Sequence, residues 1–410
     1  MAVTSERVRA DQAIRDRCGH PTGTFEEFPL DVVERSIPER FEAQVERFPH
    51  RLAVRGRDGS FTYAELNRAA NRVAHALLEG GGPGASIGLL LEGEAFIVAC
   101  LGAIKAGAIQ VPLDRDFPKA RLGYMLDQSG ARAILSDRAS LALARELAGT
   151  ERLVLDFDEI GGRGPSDNPG LRFDPDADVG IEYTSGSTGR PKGILRNQRG
   201  VLHDVLRHAN MSRLCAEDRM TVPGRGLVPP FHALLVGATF CPIRREADEL
   251  SKIGAWLIDE RVTVYRSAVS TFRALVAGLS GAERFPDLRL IELFGEPVYE
   301  RDVEQYRKHF SESCILVSTL GASEFGDYAH YFVDQRTTLP KGVVPGGYIA
   351  AGVEVVLLDE EQRPVGEGHA GEIALRSRYG AKGYWKLPEV TSAAFLADPD
   401  GGDRRLYRTG

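Results

Sequence analysis

The sequence predicts an α/β fold built in parallel layers, with a small β-rich module toward its C-terminal end. Short apolar runs alternate with amphipathic helical stretches through the first half of the chain, and the alternation resumes after residue 200. From about residue 345, strand and turn signals follow one another without a long helix. The chain has 410 residues, more than a single core accommodates, so two to four subdomains are expected.

Residues 1–30 are polar and aperiodic and read as an N-terminal arm. FTYAELNRAANRVAHALLEGGG (61–82) predicts a helix. Thr62 and Glu65 have capping-box spacing, Leu66, Ala69, Val73, Ala76 and Leu77 share one face, and Gly80 to Gly82 stop it. SIGLLL (86–91) reads as a buried strand, AFIVACLGAIKAGA (95–108) as a helix, and IQVPL (109–113) as a strand ended by Pro112. ARAILS (131–136) and RLVLDF (152–157) are further strands. After residue 198 come helix RGVLHDVLRHAN, strand VTVYRS, helix TFRALVAGL, and strands LRLIELFG and CILVSTLG. Residues 31–344 therefore read as two α/β subdomains. AAGVEVVLLDEEQRPVGEGHAGEIALRS (350–377) is strand, turn, strand, so 345–410 reads as a small β-rich subdomain.

Composition narrows the function classes. Hydrophobic residues make up 43% and charged residues 27%, as in ordinary globular enzymes. The net charge is −7 with no basic stripe, which argues against a nucleic-acid partner. No apolar run reaches membrane-spanning length, and the charged N-terminus lacks a secretory signal. Cys18, Cys100, Cys215, Cys241 and Cys314 are widely spaced and odd in number, fitting neither a disulfide frame nor a metal site. Buried or free thiols in a reducing cytoplasm are the expectation.

YTSGSTGRPKGIL (183–195) concentrates three glycines, four Ser/Thr hydroxyls and a lysine directly after the apolar run VGIE. A strand entering a glycine-rich loop lets backbone N–H groups crowd around an anion. Thr184, Ser185, Ser187 and Thr188 add donors, and Lys192 adds a point charge. The pattern G-x-x-x-x-G-K-[ST] does not fit, because Pro191 precedes Lys192 and Gly193 follows it. The plainer alternative is a flexible surface loop.

YTSGSTGRPKG resembles the phosphate loop of the adenylate-forming superfamily, which includes acyl-CoA synthetases and the adenylation domains of nonribosomal peptide synthetases. Further segments resemble that family in order: FTYAELNRAANRVA (61–74), IKAGAIQVPLDRDFPKARLGYML (104–126), LFGEPV (293–298), LGASE (320–324), GEIALRSRYGAKGYWKLPEVTSAAF (371–395) and YRTG (407–410). The match covers about residues 35–410, and the first two segments lean toward peptide-synthetase adenylation domains. The resemblance implies two doubly wound α/β subdomains and a small β-barrel-like subdomain. It implies activation of a carboxylic acid by ATP as an acyl-adenylate, with release of pyrophosphate. Charge gathering on phosphate oxygens requires positioned donors and a cation. By resemblance, Thr184, Ser185, Gly186, Ser187, Thr188, Gly189 and Lys192 bind the phosphates. Gly295, Glu296, Pro297, Thr319, Leu320, Gly321, Ala322 and Ser323 line the nucleotide site, and Glu324 binds Mg²⁺. Lys192 and Glu324 are the candidate catalytic residues.

The chain also departs from the family pattern. Leu320 replaces an aromatic that stacks on adenine, Ala322-Ser323 replaces Pro-Thr, and Gln198 stands where a histidine often follows the loop. The match stops at Gly410, inside a motif whose next residue is a ribose-binding Asp. The expectation is an excised N-terminal core without the C-terminal lid domain, its hinge and its lysine, and poor at completing adenylation. For the acid pocket, one alignment selects Gly224, Arg225 and Val228, and another places His232 near the site; neither supplies the Asp that holds an α-ammonium in amino-acid-activating relatives. The other pocket positions are Arg266, Glu292, Phe294, Thr319, Asp327 and Tyr328. A buried arginine needs a partner, so Arg266 either pairs internally with Glu292 or Asp327 or meets an anionic substrate group. The expected acid lacks a conventionally held α-ammonium.

Three functions stay open: an adenylation domain loading a carrier protein through its phosphopantetheine arm, assisted by a small activator protein; a stand-alone acid:CoA ligase; and a non-catalytic nucleotide-binding relative.

Overall fold

A computed structural model describes residues 12–57, 59–80, 82–161, 163–184, 190–224, 226–243, 252–366 and 368–410. The first part of the chain forms α1 (Ile37–Arg47), β1 (Leu52–Arg55), β2 (Ser60–Thr62), α2 (Tyr63–Gly80), β3 (Ser86–Leu90), α3 (Gly93–Lys105), β4 (Ile109–Pro112), α4 (Lys119–Ser129), β5 (Ala133–Ser136), α5 (Leu141–Ala148), β6 (Leu153–Asp156) and α6 (Phe157–Gly161). Next come β7 (Asp178–Thr184), β8 (Lys192–Asn197), α7 (Gln198–Met211), β9 (Arg219–Thr221), α8 (Pro229–Leu234), β10 (Thr239–Phe240), α9 (Ile253–Asp259), β11 (Val264–Ala268), α10 (Val269–Ala277), β12 (Leu290–Phe294), α11 (Glu300–His309), β13 (Ile315–Ala322) and β14 (Gly326–Val333). The last part holds β15 (Tyr348–Ile349), β16 (Glu354–Leu358), β17 (Glu372–Ser377), β18 (Gly383–Tyr384), α12 (Pro388–Ala394), β19 (Phe395–Ala397) and β20 (Arg405–Arg408).

These strands make a seven-stranded sheet in the order β18-β8-β7-β4-β3-β5-β6 and a nine-stranded sheet in the order β15-β14-β13-β12-β11-β9-β10-β1-β2. Each has a parallel centre: β4-β3-β5-β6 in the first, and β13-β12-β11-β9-β10-β1 in the second. Antiparallel strands close both edges of the nine-stranded sheet and the β18-β8 edge of the seven-stranded one, whose other edge, β6, is parallel. The third sheet, β16-β17-β20-β19, is antiparallel throughout. The α/β class and the small β unit agree with the expected fold.

Strand alternation shows how the layers stack. Ile87, Leu89 and Leu135 of one sheet share a single core with Val264, Leu290, Ile315 and Val317 of the other. Helices α2, α3 and α7 fill that same core, so they lie between the sheets. The neighbouring residues point away: Leu90 and Ile134 enter a second core with α4 and α5, while Tyr265, Ile291 and Leu316 enter a third with α9, α10 and α11. The result is helix, sheet, helix, sheet, helix, which explains why both central sheets read as continuous apolar runs. The expected capping box is present, with Thr62 N donating to Glu65 at 2.8 Å and Glu65 N donating to the Thr62 hydroxyl at 3.3 Å.

Residues 12–30 lie against this body. Phe28 is buried, its N–H donates to Asn210 Oδ1 at 2.7 Å, and Asn210 Nδ2 donates back to its carbonyl at 3.0 Å. Arg17 pairs with Asp334, and Arg289 donates to the carbonyl of buried Cys18. The segment after 345 is shared among sheets: β15 extends the nine-stranded sheet and β18 the seven-stranded one.

Candidate functional site

The loop after β7 is the first candidate. Thr184 ends β7 and pairs with Lys192, which begins β8. Ser185, Gly186, Ser187, Thr188 and Gly189 lie outside the described residues, as does Arg225. Lys192 Nζ sits 5.4 Å from the centroid of the Tyr384 ring. The Tyr384 hydroxyl donates to Glu324 Oε1 at 2.7 Å. Lys192 and Glu324, 132 positions apart in sequence, therefore meet on one tyrosine. Burial and then the Glu324 carboxylate raise the Tyr384 hydroxyl above its ordinary range, and the same two causes raise that of Tyr407.

The turn carrying Glu324 is held from two sides. Arg196 of β8 donates to the Ser323 carbonyl at 2.5 Å and pairs with Glu182 of β7 at 3.1 Å. Arg207 of α7 donates to the Phe325 carbonyl at 2.7 Å and pairs with Asp204 at 3.1 Å. Gly326 has φ +80°, and a Cβ there would collide with the Asp204 carboxylate, so this turn requires glycine. Leu320 is 38% exposed, presenting an aliphatic face where the family pattern has an aromatic ring. Gly321 and Ala322 pair with Asp327 and Gly326 across the same turn. Gly295 has φ +78°, Glu296 accepts from the Ser270 hydroxyl at 2.5 Å, and the Pro297 carbonyl accepts from Arg273 at 3.4 Å.

The acid-pocket candidates form two groups. Gly224 lines a cleft with Glu92, Gly93, Phe96, Asp114, Pro230 and Phe240. Val228 is buried beside it, and Leu227 N donates to Glu182 at 3.0 Å. The second group lies deeper. Arg266 of β11 is buried between Asp327 at 2.6 Å and Glu292 at 3.3 Å, and stacks 4.7 Å from the Phe294 ring centroid. Glu292 also contacts His208 at 2.6 Å and the Ser212 hydroxyl. Burial alone would raise the Glu292 carboxyl, but His208, Arg266 and Ser212 more than offset it and hold it low. His232 stacks on His208 at 4.1 Å and approaches Asp204 at 3.8 Å; burial pushes it down to about 4, so it is neutral at pH 7. His330, 3.4 Å from the Thr319 hydroxyl, is pushed down to about 4 for the same reason. Tyr328 is buried with Phe325.

Arg266 is thus an internal ion pair with both carboxylates that the sequence offered it. Gln198 is buried, and its Oε1 accepts from Ile37 N at 2.9 Å, so it ties α7 to the start of α1. The residues that sequence reasoning missed are Tyr384, Arg196, Glu182, Asp204, Arg207 and His208. Tyr384 lies inside the GYWKLPE stretch that resembles the family, so that signal was within reach. Asp204, Arg207 and His208 lie at helical i, i+3, i+4 spacing, a polar stripe that was readable as such.

The sequence profile of the AMP-binding enzyme family matches residues 41–385. The chain belongs to the AMP-binding enzyme family. It is 34% identical over 392 residues to a linear gramicidin synthase of Brevibacillus parabrevis, covering 91% of this chain and 5% of that protein. It is 32% identical over 401 residues to phosphinothricin tripeptide synthetase PhsC of Streptomyces viridochromogenes, covering 92% of this chain and 34% of that protein. The chain therefore spans about a third or less of the length of these relatives. The nonribosomal peptide synthetase FmoA3 in its AMPPNP-bound form superposes with a TM-score of 0.83 at 26% identity, covering 98% of this chain and 43% of that one. The N-terminal subdomain of Klebsiella oxytoca NpsA shares the fold, with a TM-score of 0.79 at 23% identity over 92% of this chain and 95% of that one. This AMP-binding enzyme family member is thus similar in sequence and fold to segments of peptide synthetases.

No described helix is long and apolar enough to cross a membrane. Among the described residues no group of three or more His, Cys, Asp or Glu side chains could hold a metal. A lone carboxylate such as Glu324 fits a different arrangement, in which Mg²⁺ takes one or two protein oxygens and completes its shell with substrate phosphates and water.

Proposed function

We propose that this chain activates a carboxylic acid with ATP, forming an acyl-adenylate and releasing pyrophosphate, for transfer to a carrier-protein thiol in peptide natural-product biosynthesis. The observation that carries the reading is the meeting of Lys192 and Glu324 on Tyr384, beside the β7–β8 loop. The acid oxygen attacks the α-phosphate and the pyrophosphate leaves, so negative charge grows on the phosphate oxygens. Lys192 and the loop donors stabilise that charge at the distal phosphates. Glu324 would hold Mg²⁺, which neutralises phosphate charge when bound. The five thiols are all buried and unpaired, which supports a reducing, cytoplasmic setting. A phosphopantetheine-bearing carrier is the acceptor, and a small activator protein belongs to the same proposal.

The preferred acid lacks an α-ammonium. An unpaired ammonium in a partly dry site carries a large desolvation cost. Two of the carboxylates beside Gly224 and Leu227 have cationic partners, Glu92 at 2.6 Å from Arg115 and Glu182 held by Arg196, and the third, Asp114, accepts from Asp116 N at 3.0 Å. Arg266 already pairs with Asp327 and Glu292, which argues against it as the receptor of a second anionic group. The test is acid-dependent pyrophosphate exchange by the protein with amino acids, their des-amino analogues, aryl acids and small dicarboxylates. Exchange with acids lacking the amine is expected. Preference for an L-α-amino acid over its des-amino analogue overturns the substrate reading, and absence of exchange with every acid overturns the activity. Coenzyme A against a carrier protein as acceptor separates a CoA ligase from the proposed role.

A further inference from the structure

The stretch 381–385 does more than close a sheet edge. Tyr384 pairs with Ile194 of β8, and Trp385 N donates to the Gly193 carbonyl at 2.7 Å, so its backbone is fixed next to Lys192. Its own N–H donates to the Thr391 hydroxyl of α12 at 2.9 Å, and Gln128 of α4 donates to the Trp385 carbonyl at 2.7 Å. Gly383 has φ +138° and no space for a Cβ against Thr391, which fixes the approach of the strand. The Tyr384 ring packs edge-on against Phe395 at 5.9 Å and 68°. At the other end, Ala381 N donates to the Glu324 carbonyl at 2.8 Å. Both the backbone and the side chain of Glu324 are therefore held by one five-residue segment. That segment bridges β8 of the seven-stranded sheet to the β13–β14 turn of the nine-stranded sheet.

We propose that Tyr384 is a positioning residue of the nucleotide site, its hydroxyl orienting the Glu324 carboxylate and its ring supporting the Lys192 ammonium. The proposal rests on the assignment of Lys192 and Glu324 to that site. The hydroxyl engages Oε1 of the carboxylate, and the Tyr407 hydroxyl lies against the same group, so the carboxylate is held in a fixed direction. The electron-rich ring face attracts the ammonium and limits its wandering. A purely structural tyrosine would act through its ring packing against Phe395, which phenylalanine preserves.

The test is calorimetric titration of the chain with AMPPNP, in Mg²⁺ and in EDTA, for the unmodified protein, Tyr384→Phe, Tyr384→Leu, Glu324→Ala and the double variant Tyr384→Phe/Glu324→Ala. Tyr384→Phe should weaken binding in Mg²⁺ by about fivefold, the equivalent of one charge-assisted hydrogen bond in a half-exposed place. Its binding in EDTA should not change. Tyr384→Leu should weaken binding in EDTA as well, because Lys192 loses its support. In the Glu324→Ala background, Tyr384→Phe should have no further effect. Unchanged Mg²⁺-dependent binding by Tyr384→Phe, or a loss that adds in full to that of Glu324→Ala, overturns the positioning role alone. Binding by the unmodified chain that is indifferent to Mg²⁺ overturns the site assignment and the proposal with it.

Discussion

Replacing Arg266 by methionine tests the deepest part of the candidate acid pocket. The guanidinium lies 2.6 Å from Asp327 and 3.3 Å from Glu292, and all three side chains are buried. At an effective dielectric of about 20, each contact supplies about 5–6 kcal/mol of attraction. Desolvation of the arginine cancels much of that, and breaking such a pair from one side costs about 3–5 kcal/mol. Glu292 keeps His208 and Ser212, so the uncompensated charge falls on Asp327. Burial pushes the Asp327 carboxyl up, and in the native protein Arg266 more than offsets this and holds it below its ordinary value. A depressed native carboxyl contributes stability above the unfolded value of about 4 and loses it on acidification. In Arg266→Met the sign reverses: the native value rises above the unfolded one, so the charged form costs stability as pH rises. The deficit of the variant should therefore grow as pH rises from below about 4. Urea unfolding followed by tryptophan fluorescence, with Trp256 packed against the core of the β11–β12 layer, reads both quantities. A deficit under about 1 kcal/mol at neutral pH, or one that ignores pH, would refute the reasoning.

Three further outcomes follow from named contacts. Lys192→Ala should weaken binding of a triphosphate nucleotide more than binding of AMP, because its charge is assigned to the distal phosphates; equal losses by calorimetry would sink that assignment. Phe28→Ala should cost about 3–5 kcal/mol in thermal or urea unfolding, since its ring is buried and carries Arg40 at 4.6 Å; a neutral result would mean that residues 12–30 are not part of the cooperative unit. Gln198→Leu should cost about 1–3 kcal/mol by leaving Ile37 N buried without an acceptor, and Gln198→His should recover part of it if the ring nitrogen reaches the same N–H.

The layers were legible because parallel strands buried on both faces leave apolar runs bounded by glycine and proline, as in SIGLLL and IQVPL. Sheet membership was not. β15 and β18 are two residues each, and β18 pairs with a strand far back in the sequence, so no local pattern announces them. The charged residues of α7 are the clearer lesson. RGVLHDVLRHAN reads as a helix with a polar face, and a polar face is ordinarily solvated. Here Asp204, Arg207 and His208 are buried because β12 and the β13–β14 turn supply partners across long sequence separations. The stripe is visible in a single sequence; its partners are not. The same holds for Arg266, which the sequence leaves as either an internal pair or an anion receptor, and only geometry decides between these.

That stripe joins the two halves of the candidate site. Arg207 and Asp204 fix the turn that presents Glu324, through the Phe325 carbonyl and the space over Gly326. One residue further on, His208 holds Glu292, which neighbours Arg266 across β11 and β12 in the pocket region. A rigid helix buried along nearly its whole length cannot shift one contact without loading the other. The groups proposed for the nucleotide and those proposed for the acid thus share a single support. Reshaping the pocket at Arg266 or Glu292 would be felt at Glu324 through α7, whereas substitutions around Gly224 act through Glu182 and Arg196 on the opposite side of the same turn. Changes of acid specificity made at the first group are therefore expected to disturb nucleotide affinity together with acid affinity. Those made at the second reach the nucleotide only through the Ser323 carbonyl, a backbone contact that leaves the Glu324 side chain and its tyrosine in place.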